Sequence, residues 1–401
     1  MAIQKTSRRM FLGGTAGAAA LAGQPAAAQP GAKMKPASLA LEDFEPKSML
    51  VVPEHPVDRA KFPVVDVHTH VSSVFPKQRT GALMPKAFAQ LDAIVAWMDQ
   101  LNIRTMFNLT GGYGELLKQN VKDLQEHYKG RFFTCVEPAY DRIREPGFAR
   151  WQADEIARGK QAGAIGIKVL KTLGLFLREN ITSGPLVKVD DPRFDPMWEV
   201  AGQLKMPVFI HVSDPDAFFT PVDRFNERWE ELGNHPDWSF YGKDYPPKAE
   251  ILAARNRVVA RHSRTTFVGL HVANHPENLD EVSQWLDDLP NLHVETAARL
   301  AELGRQPRRA RAFFEKYQDR IMFGTDASPK QAGTPQQDVK PAMYQAYFRW
   351  LETLDEYFDY APSKTPPQGR WQIYGIGLPD EILKKVYCNN AARLMGWPEI
   401  A

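Results

Sequence analysis

The stretch VVDVHTH, residues 64–70, is the first of eight similar short runs in the sequence. It is rich in valine, and its length and composition are typical of a β-strand. Because successive side chains of a strand point to opposite faces, His68 and His70 point the same way. The stretch therefore predicts a strand that ends in two converging imidazoles.

Seven further runs of the same kind follow at fairly even spacing. They are IRTMFNLTG (103–111), FFTCVEPA (132–139), AIGIKVLK (164–171), MPVFIHVSD (206–214), TTFVGLHVAN (265–274), LHVETA (292–297) and IMFGTDAS (321–328). Segments with helical periodicity separate many of them, for example AQLDAIVAWMDQL, ELLKQNVKDLQEHY, ARWQADEIARGK and RRARAFFEKY. Strands that alternate with helices form parallel sheets.

Eight such units span about 265 residues, close to the ~250 residues of a (β/α)8 barrel. The fold class is therefore α/β, a (β/α)8 TIM barrel with an N-terminal arm and an extra C-terminal helix over about 379–395. An open doubly wound sheet of six or seven units is the alternative. No G-x-G-x-x-G loop follows the first run, which counts against that alternative. Function is expected at the long connections 215–247 and 329–376.

The N-terminus has the pattern of a twin-arginine export signal over residues 1–28. Arg8 and Arg9 precede an apolar stretch from Phe11 to about Gly23, and Ala26-Ala27-Ala28 provides a small-residue cleavage site. A flexible basic tail or an uncleaved anchor is the alternative. The signal predicts a periplasmic or secreted protein. Residues 29–60 are expected to be a linker and N-terminal arm, and 61–401 the barrel domain.

Composition excludes some classes of partner. The formal net charge is +2 and no dense Lys/Arg block is present, so a nucleic-acid partner has no support. After the signal, no apolar run is long enough to span a membrane. Of the two cysteines, Cys135 lies in an apolar run and is expected to be a buried small hydrophobe, and a bridge to Cys388 is not expected.

Polar groups cluster at the predicted strand ends. In a barrel, His68, His70, His211, His271 and Asp326 all face the same mouth. Strand 8 lies beside strand 1 when the barrel closes, so Asp326 can reach the imidazole pair, and His211 approaches from across the mouth. Three imidazoles and a carboxylate suit one divalent ion, Zn²⁺ first, with Mn²⁺ or Fe²⁺ as alternatives. Singly, a strand-end histidine could instead hydrogen-bond a loop, and Asp326 could cap a turn.

Five motifs carry a resemblance to a known family. VDVHTH, FIHVSD, GLHVAN, RIMFGTDAS and KKVYCNNAARLMG, in this order over about 64–397, resemble the amidohydrolase superfamily, and within it the branch of the aminocarboxymuconate-semialdehyde decarboxylase type. The resemblance implies a distorted (β/α)8 TIM barrel of the metal-dependent hydrolase type, with a divalent metal. It implies that the metal ligands are His68, His70, His211 and Asp326. His271 would contact either the metal or the substrate.

Two further residues near these motifs have open roles. The resemblance makes Lys168 a metal ligand only if the site is binuclear and the lysine is carboxylated; a single metal with an unmodified lysine is favoured. Strand alternation allows only one of Lys168 and Lys171 to face inward. Asp66 could orient a ligand or have a purely structural role.

Three functions follow from this set. The first is a hydrolase of small amides, lactones or esters, in which Asp326 takes a proton from a metal-activated water and His271 stabilises the oxyanion. The second is a decarboxylase of an aromatic or enol carboxylate, with Asp326 or His271 as the proton donor. The third, least expected, is a binding protein without turnover. In each case the partner is a small molecule, and the resemblance adds a homodimer as an expectation.

Side chains of the rim loops are candidates for substrate contacts. The aromatic residues of the fifth connection could stack on a ring or pack as a lid: Phe218, Phe219, Trp229, Trp238, Phe240, Tyr241 and Tyr245. Three cations could bind a carboxylate, although any solvated surface carries such charges: Lys77, Arg79 and Arg299.

Overall fold

A computed structural model describes residues 39–40, 43–44, 46–72, 77, 81–242, 244–329, 337–363 and 367–400. The predicted export signal (1–28) and residues 29–38, 41–42 and 45 of the predicted arm (29–60) lie outside these residues, so both stay predictions. Residues 50–401 form one compact unit, and Met1–Met49 form another. The few described residues of the latter include a short turn in which the Asp43 amide donates to the Ala40 carbonyl.

All eight predicted strands are present and parallel. They are β1 (Val64–Thr69), β2 (Ile103–Asn108), β3 (Phe132–Thr134), β4 (Ile167–Val169), β5 (Val208–Ile210), β6 (Phe267–Gly269), β7 (Leu292–Glu295) and β8 (Ile321–Met322). Their ladders run in the order β1-β2-β3 and β4-β5-β6-β7-β8. Each strand is shorter than its predicted run, because residues at the ends of the run leave the ladder, and those after the strand form the loops of the mouth.

Backbone hydrogen bonds join the two ladders at both seams. At the β3–β4 seam, Val136 pairs with Ile167, and the Lys168 amide donates to the Val136 carbonyl at 2.8 Å. At the β8–β1 seam, the Val67 amide donates to the Phe323 carbonyl at 3.0 Å, and Thr69 pairs with Ala327. The eight strands thus complete a ring, and the predicted (β/α)8 barrel is confirmed.

Helices surround the strands. They are α1 (Pro85–Leu101), α2 (Gly114–Asn120), α3 (Phe148–Gln161), α4 (Asp195–Gln203), α5 (Trp229–Asn234), α6 (Lys248–Arg261), the single turn α7 (Leu270–Ala273), α8 (Leu279–Asp288), α9 (Leu300–Gly304), α10 (Pro307–Lys316), α11 (Pro341–Glu352), α12 (Asp380–Lys384) and α13 (Asn390–Met395). Wide π-type turns occupy Val121–Glu126, Thr172–Phe176 and Lys385–Asn389, and 3₁₀ turns occupy Tyr140–Arg142, Pro192–Phe194, Asp216–Phe219 and Pro236–Trp238.

The predicted C-terminal helix over about 379–395 is present, because α12, the π-type turn Lys385–Asn389 and α13 follow one another as one helical run. One helix differs from the sequence expectation: α11 lies inside the connection after β8, which is predicted only as a long loop. No described helix has both the length and the apolar character needed to cross a membrane.

The side chains inside the barrel form a small apolar cluster that is separate from the larger core cluster. Val67, Phe107, Phe209 and Met322 belong to it, together with Cys135. The Trp397 ring packs against Phe107 at 5.8 Å between centroids, and Cys388 belongs to the same cluster. Both cysteines are buried and free, as predicted. The C-terminal segment therefore packs against the apolar barrel interior.

We expect Gly324→Ala to lower the free energy of unfolding by about 1–3 kcal/mol, as overpacking of a tight site does. A Cβ at Gly324 would overlap a carboxylate oxygen of Glu295 and lie 3.2 Å from the His68 Cβ. Chemical denaturation measures the change. The control is Gly233→Ala in α5, where an added Cβ meets nothing within 4 Å. If both variants are as stable as the parent chain, the seam is not as tightly packed as described.

Candidate metal centre

Three side chains at the β8–β1 seam bring their donor atoms together. His68 Nε2 lies 3.3 Å from His70 Nε2, and Asp326 Oδ1 lies 3.2 Å and 3.0 Å from these two nitrogens. Atoms that bind one ion at about 2.1 Å in tetrahedral or octahedral arrangement are themselves about 3.0–3.4 Å apart. The three donors therefore have the spacing and the chemistry of ligands to one divalent ion.

Neighbouring groups hold these three ligands in orientation. His70 Nδ1 is hydrogen-bonded to Thr110 Oγ1, and the Gln337 amide donates to Asp326 Oδ2. Asp326 itself has a left-handed backbone, with φ of 61°. Side chains that fix the second nitrogen of a ligating histidine set its tautomer and direction.

Glu295, at the end of β7, is the site residue that the sequence analysis missed. Its buried carboxylate lies 3.2 Å from His68 Nδ1 and accepts hydrogen bonds from the backbone amides of His271 (2.6 Å) and Ala297 (2.5 Å). It thereby fixes a ligand imidazole and the backbone of His271 with one carboxyl group. The sequence signal that could have identified Glu295 is an acidic residue inside the strand-like run LHVETA.

His271 lies on an unusual turn directly after β6. Residues 271–274 all have left-handed backbones, with φ between 52° and 58°. Three of them, His271, Val272 and Ala273, are neither glycine nor asparagine, and a left-handed backbone costs about 1–2 kcal/mol at each such residue. His271 Nδ1 is 2.8 Å from the Ala297 carbonyl, so it carries the proton of that hydrogen bond. Its Nε2 is buried without a hydrogen-bond partner among the described residues.

His211 lies near His271 but outside the donor trio, which consists of His68, His70 and Asp326. Its ring packs against the His271 ring at 4.4 Å between centroids. Its Nε2 is 3.5 Å from Asp214 Oδ1 and makes no hydrogen bond with a described residue. The role of His211 as a metal ligand stays a prediction.

Lys168 and Lys171 both reach the site, contrary to the expectation that only one would face inward. Lys168 Nζ is fully buried and 3.3 Å from His68 Nε2. Strand β4 ends at Val169, so alternation does not govern Lys171, which forms a 2.6 Å ion pair with Asp214. Burial lowers the pKa of Lys168 to about 8.

Asp66 has a structural position behind the site. Its carboxylate accepts hydrogen bonds from Thr325 Oγ1 at 2.5 Å, from Tyr344 Oη at 2.8 Å and from the His68 amide at 3.1 Å. It ties β1 to the end of β8 and touches the backbone of His68 rather than its ring. Burial raises the pKa of Asp66 to about 7.

The electrostatics of three site histidines, His70, His211 and His271, suit metal ligation. Burial lowers the pKa of His70 and of His211 to about 4, and that of His271 well below its usual value. These imidazoles are neutral at pH 7, as a ligand or a proton acceptor must be. Burial and Lys168 act against a charged His68, but Asp326 and Glu295 outweigh them and raise its pKa.

A cavity of about 190 Å³ opens beside the donors. Its described lining is Lys171, His211, Asp214, Pro215, Phe218, Arg228, Glu231, Trp238, His271, Ala298, Arg299, Asp326, Gln337 and Gln368. Phe218 and Trp238 are the predicted rim aromatics that reach it, whereas Trp229 and Tyr241 are exposed. Arg299 lines it, Lys77 donates to Asn120 instead, and Arg79 lies outside the described residues.

A family model matches this sequence and agrees with the geometry of the site. The model of the amidohydrolase family matches residues 65–397, which is most of the sequence. The chain belongs to the amidohydrolase family. The superfamily expected from the five motifs is thereby confirmed. A search of curated proteins found no match.

Solved structures resemble this amidohydrolase in fold. A 2,6-dihydroxybenzoate decarboxylase from Rhizobium is 14% identical, with a TM-score of 0.50; the match covers 84% of this chain and 99% of the other. An uncharacterized TIM-barrel protein from Bordetella bronchiseptica is 15% identical, with the same TM-score and the same coverage. At this identity the likeness supports the barrel fold.

We expect this amidohydrolase to be stabilised by its metal. For chelator-treated protein, free Zn²⁺ or Mn²⁺ at a hundredfold excess over Kd should add about 2.7 kcal/mol of stability. Asp326→Asn should remove most of this gain, because it removes the charged donor of the trio. Thermal melting with and without the ion measures it. An equal gain in Asp326→Asn would place the ion elsewhere.

Glu295→Gln should weaken metal affinity about 10–100-fold, the usual loss when the partner of a ligating histidine is changed. The amide keeps the shape of the carboxylate but loses the charge that favours a proton on His68 Nδ1. Competition with a chelator of known affinity measures the effect. The matched control, Glu281→Gln on α8, changes a carboxylate that pairs with His275 outside the donor set. Unchanged affinity in Glu295→Gln would show that the carboxylate does not tune the site.

Proposed function

We propose that this chain is a metal-dependent carboxy-lyase of a small aromatic or enol carboxylate. The observation that carries the proposal is the cavity at the donor trio. At about 190 Å³ it is smaller than the ~300–1,000 Å³ of typical drug-sized sites. Phe218 and Trp238 supply flat aromatic walls. Such a space suits one ring and its substituents better than the two halves of an extended ester or amide.

The donor trio sets where the reacting group would lie. A divalent ion held by His68, His70 and Asp326 would bind substrate oxygens and stabilise negative charge that develops on them. We expect Zn²⁺ first, with Mn²⁺ and Fe²⁺ as alternatives, since imidazole and carboxylate donors accept all three.

His271 is the residue placed to move a proton. Its Nδ1 is committed to the Ala297 carbonyl, so only Nε2 can exchange a proton with a ligand. In the proposed reaction, Nε2 takes the proton of the substrate hydroxyl. His271 then delivers this proton to the carbon that bears the carboxylate, which gives the keto form. The bond between that carbon and the carboxyl carbon breaks and CO₂ leaves. The electron pair of the broken bond restores the enolate or phenolate, whose oxygen solvent protonates.

Hydrolysis is the second candidate, and one observation favours it. His68 and His70 hold the pKa of Asp326 well below its usual range despite burial, so Asp326 is ionised. An ionised Asp326 and a neutral His271 are both proton acceptors, which is what activation of a water molecule requires. The substrates would then be small lactones, esters or amides. A binding role without turnover has the least support, because it leaves both proton acceptors unused.

We also propose export by the twin-arginine route, on the evidence of the sequence around Arg8 and Arg9. That route carries folded cargo. A metal site built from the first and last strands is complete only after the barrel closes, so folded export would let the metal be chosen in the cytoplasm. Full activity of apo-protein refolded and loaded outside the cell would remove this reason for the signal.

Incubation of metal-loaded protein with hydroxybenzoates, enol carboxylates, lactones and esters distinguishes the two reactions by product mass. We expect loss of CO₂ from at least one carboxylate. Addition of water to a lactone or ester without any loss of CO₂ would instead establish the hydrolase.

His271→Asn should lower kcat by about 10²–10⁴-fold, the typical contribution of a positioned acid–base group. Metal content should stay unchanged, because the trio does not include His271. His127→Asn, an exposed histidine outside the cavity, is the control. Full activity in His271→Asn would remove His271 from the mechanism.

A further inference from the structure

Three cationic side chains line the cavity, and two of them are neutralised by the protein. Arg228 forms ion pairs with Glu231, at 2.6 Å, and with Glu302. Lys171 forms an ion pair with Asp214, at 2.6 Å. These two cations are therefore satisfied without a ligand.

Arg299 differs from both. It is 5% exposed, and in the described part of the chain no carboxylate oxygen lies within 4.0 Å of its guanidinium nitrogens. One nitrogen donates to the Ala298 carbonyl at 2.8 Å, and Nε is buried with no hydrogen-bond partner among the described residues. A buried charge without a partner is costly, so a folded protein rarely keeps one without use.

We propose that Arg299 binds a carboxylate of the substrate, separate from the group that lies at the donor trio. The inference rests on the proposed function, in that it takes the cavity as the substrate site. Arg299 makes no hydrogen bond or ion pair with His68, His70 or Asp326 in the described structure. Asp326 and Arg299 both line the cavity, so a ligand that fills it would meet a donor of the trio and, at a separate point, the Arg299 guanidinium. The substrate would then be a small diacid, because Arg299 binds one carboxylate while the group that reacts lies at the donor trio.

The loop after β7 holds Arg299 in place before any ligand arrives. The Arg299 amide donates to the Thr296 carbonyl at 3.1 Å, and the Ala298 amide donates to Tyr347 Oη at 3.0 Å. Ala298 has a left-handed backbone, with φ of 53°. The same loop supplies the Ala297 carbonyl that fixes His271. One short segment thus positions both the proton-transfer group and the anion-binding group.

Guanidinium chemistry defines the kind of ligand. Its planar donors match the two oxygens of a carboxylate, and such paired, charge-assisted hydrogen bonds are strong in a dry site. A neutral ester at the same place would leave the guanidinium unpaired. The proposal therefore predicts discrimination between an acid and its methyl ester.

The test is titration calorimetry on the metal-loaded full chain. The probes are benzene-1,2-, 1,3- and 1,4-dicarboxylate, each compared with its monomethyl ester. At least one diacid should bind tenfold or more tightly than its ester. Arg299→Gln should weaken that diacid at least tenfold and leave the ester unchanged, and Arg299→Lys should fall between. Arg309→Gln, an exposed arginine on α10, should behave as the parent chain.

A structural role of Arg299 gives a different result. Because the guanidinium has no carboxylate partner to abandon, Arg299→Gln should melt at the same temperature as the parent chain or higher. The inference is overturned if no diacid binds, if diacids and esters bind equally, or if the variant weakens both to the same extent. These binding results do not depend on turnover, so absence of CO₂ release would refute the proposed reaction separately.

Discussion

The seam between β1 and β8 is the contact on which the site depends. The Asp326 amide donates to the His68 carbonyl at 2.8 Å, and the His70 amide donates to the Ala327 carbonyl at 2.7 Å. Asp66 and Thr325, 259 residues apart, add a further pair of hydrogen bonds. The same backbone that closes the barrel thus carries all three donors of the trio. Metal binding and barrel closure are coupled through these few bonds.

Closure places strained backbone at the mouth. His271, Ala298 and Asp326, which follow β6, β7 and β8, all have positive φ. Such conformations persist only where surrounding contacts enforce them, and they gather at functional sites. Glu295 supplies much of that enforcement, because its carboxylate binds two amides in the affected loops and a ligand imidazole. The geometry of the site is therefore set before a ligand binds.

Sequence patterns predict the strands well, because burial on both faces produces runs of valine, isoleucine and phenylalanine. The pair His68 and His70, with Asp326, was predictable from strand ends that meet at one mouth. Glu295 was not, because its role depends on loops that leave the ladder, and no spacing rule describes them. Lys171 was misjudged for the same reason: β4 ends at Val169, so alternation stops before it. The sequence could not predict that Arg299 has no carboxylate within 4.0 Å among the described residues, because that depends on where residues distant in the chain lie in the fold.

Anomalous X-ray scattering at the metal edge, from crystals of the metal-loaded chain, locates the ion. We expect one peak, about 2.1 Å from His68 Nε2, His70 Nε2 and Asp326 Oδ1. A peak at the separate cluster of Asp216, His275 and Glu277, or no peak at the β8–β1 seam, would contradict this expectation.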